Sequence, residues 1–86
     1  MRIDTHAHYD KAWAKLTRKQ QLRVLSALKI FIEAPTSPAL RVHKLKDEYF
    51  PHFSISAGGD LRIHYLVIDE KRIVLTAVGT HSQLYD

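Results

Sequence analysis

The stretch from Ser54 to Tyr65, SISAGGDLRIHY, limits the folds open to this chain more than any other. Phe53 and Ile55 alternate with Ser54 and Ser56. Gly58 and Gly59 supply the positive φ of a tight connection, and Leu61, Ile63, Tyr65 and Val67 then alternate with Arg62 and His64. Two strands of period two joined at a glycine pair predict a β-hairpin. One face carries Phe53, Ile55, Leu61, Ile63 and Tyr65 toward a core, and the other carries Arg62 and His64 outward. Ile73 to Val78 predicts a further strand, set off by the turn-like Asp69-Glu70-Lys71-Arg72, with Gly79 ending it.

Ahead of the hairpin the period changes. Arg2 to Ala7 reads as a short strand anchored by Ile3, and Tyr9, Ala12, Trp13 and Leu16 recur at helical spacing. Thr17 with Gln20 forms a capping-box pair that opens a second helix, and Ala34-Pro35-Thr36-Ser37-Pro38 closes it near Glu33. Leu22, Val24, Leu25, Leu28, Phe31 and Ile32 give that helix a broad apolar arc expected to pack on the sheet, with Ile30 off the arc and open to a partner. Leu40 to Lys46 is basic and extended or loop-like. The expected architecture is α+β: an N-terminal strand and a two-helix hairpin on a small antiparallel sheet of about four strands.

Eighty-six residues (1–86) make one domain, too short for a large barrel or a dinucleotide-binding sheet. The chain has no cysteine, which excludes disulfides and thiolate metal sites, and no apolar run long enough to span a membrane; a cytoplasmic protein is expected. Thirteen Lys and Arg against nine Asp and Glu leave a net charge of +4, which suits a polyanion or an acidic protein partner.

Several clusters carry possible chemistry. His6 and His8 resemble a His-x-His metal strand, and strand alternation would put them on one face. Further ligands at suitable spacing are lacking, so no metal and no cofactor is expected. Trp13 is assigned to packing, since aromatics at helical spacing belong mostly to cores. Arg41, His43, Lys44 and Lys46 form a basic segment able to meet phosphates. Arg62 and His64 on the open sheet face must look at solvent or a ligand. His81 follows the last strand, with Tyr85 one helical turn beyond. Histidines, a carboxylate, an arginine and lysines together suit metal-free RNA cleavage. In that reaction a base takes the 2′-hydroxyl proton, an acid protonates the leaving 5′-oxygen, and a guanidinium holds the charged phosphorane.

With these residues in view, the chain resembles the RelE/YafQ family of bacterial toxin–antitoxin ribonucleases. The resemblance rests on Val42 to Lys46 (VHKLK), Gly59 to Tyr65 (GDLRIHY) and Val78 to Tyr85 (VGTHSQLY). It implies a type II toxin that cuts messenger RNA on the ribosome, with contacts to 16S ribosomal RNA, and that is silenced by a cognate acidic antitoxin. By position it implies His43, assisted by Asp60, as general base and His81 as general acid. Arg62 is then the transition-state clamp, Tyr85 a base-stacking or orienting group, and Arg41, Lys44 and Lys46 backbone contacts to RNA. Two positions depart from the YafQ branch, Ser56 in place of a histidine and Ala77 in place of an arginine. The rival readings are a ParE-like toxin that binds gyrase without cutting, and a non-catalytic binding module of the same fold.

Overall fold

The computed structural model describes residues 1–85. Strand β1 (Arg2–Thr5) leads into helices α1 (Ala7–Lys15) and α2 (Arg18–Glu33). A two-residue strand β2 (His43–Lys44) precedes the long strands, β3 (Phe53–Ser56), β4 (Leu61–Asp69) and β5 (Arg72–Thr80), and a short helix α3 (His81–Tyr85) follows. The sheet order is β1-β5-β4-β3-β2. The α+β class is as expected, but the sheet has five strands and is mixed, because β1 lies parallel to β5 while the other pairs are antiparallel. Parallel pairing of the first and last strands joins segments some seventy residues apart, so no local pattern announces it. Asp4 bonds to Arg2 at 3.0 Å and to Arg72 of β5 at 2.8 Å, and the Arg2 hydrogen bond, followed by the two cationic charges, holds its carboxyl below the usual range.

The α2 start is the predicted capping box: Thr17 Oγ1 accepts from the Gln20 amide at 3.1 Å, and Gln20 Oε1 accepts from the Thr17 amide at 2.9 Å. The helix packs less of its apolar arc than expected. Val24, Ala27 and Phe31 are buried and Leu28 is partly so, one stripe at helical spacing. Leu22, Leu25 and Ile32 form a second stripe turned away from the sheet, each half or more exposed. Ile30 is 38 % exposed, as its place off the arc implied, and lines a groove with Lys19, Leu22, Arg23 and Leu40.

The core joins the α2 stripe and Tyr9 of α1 to Ile55, Leu61, Ile63, Tyr65, Ile73, Leu75 and Val78. Tyr65 sits between Phe31 and Phe53, each with its ring centroid 5.3 Å away. Trp13 packs at the edge of this core beside Tyr9, its assigned role. His6 and His8 do not share a strand face. β1 stops at Thr5, and His6 Nδ1 accepts the His8 amide at 3.0 Å as the N-cap of α1. β5 does not break at Gly79; it runs through that glycine, opposite Arg62, to Thr80.

Candidate active site

The face of the sheet turned away from the α2 core was expected to be open, yet at one end it is covered. Register places His43, Ser54, His64 and Ala77 side by side across β2, β3, β4 and β5, with Ser56, Arg62 and Gly79 in the next row. Period two puts both rows on the same face. A bulge at His64/Tyr65, where the Thr76 hydroxyl bonds to the His64 carbonyl at 3.3 Å, resets β5 so that Ala77 and Gly79 stay on that face. Helix α3 and the turn around Tyr49 lie over the rows. His64 is therefore buried, 4 % exposed, contrary to the expectation that it meets solvent.

Around His64 stand three rings. Its Nε2 is 2.8 Å from the Tyr85 hydroxyl, and its ring centroid lies 5.3 Å from Tyr85, 6.2 Å from Tyr49 and 6.4 Å from His52. Tyr85 in turn meets Tyr49 at 5.0 Å and His81 at 4.6 Å. Burial first, then the nearby His52 and His43, push the His64 imidazole down to about 4, so it is neutral near pH 7 and able to accept the Tyr85 proton. An open recess beside the cluster is lined by His8, Glu48, Tyr49, His52, His64 and Ala77 among others.

The short helix α3 is built by three residues of the VGTHSQLY segment. Thr80 and Gln83 cap it reciprocally, Thr80 N donating to Gln83 Oε1 at 2.8 Å and Gln83 N to Thr80 Oγ1 at 3.3 Å. Gly79 allows this approach, because a Cβ there would come within 2.9 Å of Gln83 Oε1 and 3.3 Å of Gln83 Cβ. The result presents His81, exposed, beside Tyr85.

His43 is exposed at the sheet edge. Arg41 lies in the left-handed region at φ 46°, and its carbonyl oxygen is 2.9 Å from His43 Nδ1. With Nδ1 donating to that carbonyl, Nε2 of a neutral His43 is left as the acceptor, the tautomer a general base needs. The expected Asp60 assistance takes a different form: Asp60 is exposed in the β3–β4 turn with no side-chain hydrogen bond or ion pair among the described residues, and the group that orients His43 is the Arg41 carbonyl. Arg62 turns back onto the hairpin, its Nη1 donating to Gly59 O at 2.7 Å, Leu61 O at 3.0 Å and Ser56 Oγ at 3.3 Å. Its Nε and Nη2 have no partner among the described residues. Lys44 follows His43 in β2 and so points to the opposite face, with Nζ 4.8 Å from the centre of the Phe50 ring and 6.0 Å from that of Phe53. Lys46 and Arg41 are exposed nearby.

The sequence expectations thus bring His43, Arg62, His81 and Tyr85 to one face and leave Lys44 on the other. His64 was placed on this face but given no role in the site, and His52, Tyr49 and Glu48 were not foreseen. The signal for His64 was the shared parity of Ser54, Ser56, Arg62 and His64 across the hairpin. Tyr49 and His52 lie in a loop with no periodicity to read.

No family model matches the sequence, and no curated protein matches it. Solved structures do match over nearly the whole chain. YafQ from E. coli strain BL21(DE3) is 17 % identical at a TM-score of 0.81, with all of both chains covered. The E. coli DinJ–YafQ toxin–antitoxin complex is 22 % identical at 0.71, covering 98 % of this chain and 96 % of that one. The archaeal RelE–RelB complex from Pyrococcus horikoshii OT3 is 21 % identical at 0.70, covering 95 % and 96 %. The chain therefore has the fold of RelE/YafQ-type toxins.

Proposed function

We propose that this protein is the toxin of a type II toxin–antitoxin pair and a metal-independent endoribonuclease that cuts messenger RNA on the ribosome. The observation that carries the reading is the gathering of His43, His64, His81 and Tyr85 on one sheet face of a RelE/YafQ-type fold. His43, held by the Arg41 carbonyl, takes the 2′-hydroxyl proton through its free Nε2, and His81 protonates the leaving 5′-oxygen. The 2′-oxygen attacks phosphorus as the P–O5′ bond breaks, leaving a 2′,3′-cyclic phosphate and a 5′-hydroxyl. Arg62 offers its unpaired Nε and Nη2 to the phosphorane oxygens, and Tyr85 orients the nucleotide. Arg41 and Lys46 supply charge for the RNA backbone at the site's edge, while Lys44 serves the strand's other face. The partner that silences the enzyme is an acidic antitoxin, as the DinJ and RelB complexes of structural relatives suggest.

A non-cutting binding module is favoured by one feature: the residue beside His64 is Ala77, whose methyl group offers no charge to a phosphate. Cleavage of messenger RNA on purified ribosomes, mapped by primer extension in the presence of EDTA, separates the two readings. The wild type is expected to cut and to leave cyclic or 3′-phosphate ends, and His81→Ala to lose about a hundredfold to ten-thousandfold in rate. No cleavage by the wild type, or full activity in His81→Ala, rejects the assignment.

A further inference from the structure

Helix α3 has only five residues, far below the length at which a helix holds itself in water, so its place depends on what grips its ends. The Thr80–Gln83 cap grips the start. At the far end, Tyr49 Oη reaches the Leu84 carbonyl at a long 3.5 Å, and the Tyr85 hydroxyl meets His64 Nε2 at 2.8 Å. His64 itself is immobile, since it lies mid-strand, paired on both sides with β3 and β5 and covered by neighbouring rings. His81 belongs to the same short helix, and its ring rests on Tyr85. Whatever fixes Tyr85 therefore fixes His81.

The geometry points to His64 as a positioning residue that clamps the Tyr85 hydroxyl and thereby holds α3, and with it His81, over the reactive face. This role rests on the ribonuclease reading for its consequence but not for its structural content. His64 acts through Tyr85 and transfers no proton to substrate. Without the clamp, α3 keeps its capped start and its packing against Tyr49 but loses the hydrogen bond that fixes its far end, so His81 samples many positions and the acid is seldom in reach of the leaving oxygen.

The test uses the full chain in three variants. His64→Phe keeps a buried ring without nitrogen, Tyr85→Phe removes only the hydroxyl, and His64→Gln restores a hydrogen-bonding group. Backbone {1H}–15N heteronuclear NOEs over residues 81–85 report α3 order, and ribosomal cleavage reports function. Both phenylalanine variants are expected to lower the α3 NOEs and to slow cleavage about tenfold at unchanged KM. The double variant should be no worse than either single one, and His64→Gln should recover most of both signals. The clamp is overturned if α3 stays as ordered in the phenylalanine variants as in the wild type, or if cleavage falls while α3 remains ordered, which would give His64 a direct chemical role. Should the wild type fail to cleave RNA, the ribonuclease reading falls, and the NOE comparison still decides whether His64 holds α3.

Discussion

A buried neutral histidine makes stability depend on pH in a window set by its own titration, and His64 offers a measurable case. In the unfolded chain the imidazole titrates near 6.5, and in the fold it is held down to about 4, chiefly by burial. Above 6.5 both states are neutral and the group is silent. As pH falls from 6.5 toward 4 the unfolded chain takes up the proton and the native state does not, so stability drops. Linkage puts the loss at about 2 kcal/mol by pH 5 and about 3 kcal/mol in all once pH passes 4. The groups around His64 are His43 from β2, His52, Tyr49 and Glu48 from the preceding turns, His8 from α1, and Tyr85 from α3 with His81 beyond it, all of which remain in a His64→Gln variant. Urea unfolding of wild type and variant, followed by circular dichroism at pH 7.5, 6, 5 and 4.5, isolates the His64 contribution as the difference between the two curves. The wild type is expected to lose about 2 kcal/mol more than the variant between pH 7.5 and 5. Parallel pH dependences would refute the argument, because they would mean that His64 titrates alike in both states and is open to water in the fold.

Other perturbations probe other parts of the molecule. Arg62→Lys is expected to be nearly as slow in RNA cleavage as Arg62→Ala, since a point charge cannot copy a two-pronged grip on phosphate oxygens; equal rates for the lysine variant and wild type would show that generic charge suffices. Ser54 Oγ is buried between His43 and His64 with no hydrogen-bond partner among the described residues, so Ser54→Ala should be neutral or stabilising by about 1 kcal/mol in urea unfolding. A clear loss of stability instead would reveal a bound water as its partner. Ile30→Glu, on the rim of the α2 groove, should weaken antitoxin binding about tenfold or more by calorimetry at physiological salt while cleavage stays at the wild-type rate; unchanged affinity would place the antitoxin elsewhere.

Local pattern determined a great deal of this protein. The Gly58–Gly59 hairpin, the Thr17–Gln20 cap, the proline-bounded end of α2 and the alternation of β4 were legible because each depends on residues within a turn or a strand of one another. Tertiary structure decided whatever depends on distant segments meeting. The parallel seat of β1 beside β5 has no local cause, and the arc of α2 divided into a buried and an exposed stripe only when the sheet offered room for one of them. The same holds for the site. Alternation correctly put Arg62 and His64 on the face away from the core, but whether that face was wet depended on α3 and the Tyr49 turn folding over it. Those two segments share no periodicity with β4, and their contact turned His64 from a surface residue into a buried one. Register across three strands, His43 against Ser54 and Ser54 against His64, brought His43 into line with His64. The sequence carried the reactive groups, and the pairing of the strands and the docking of α3 chose which of them stand together.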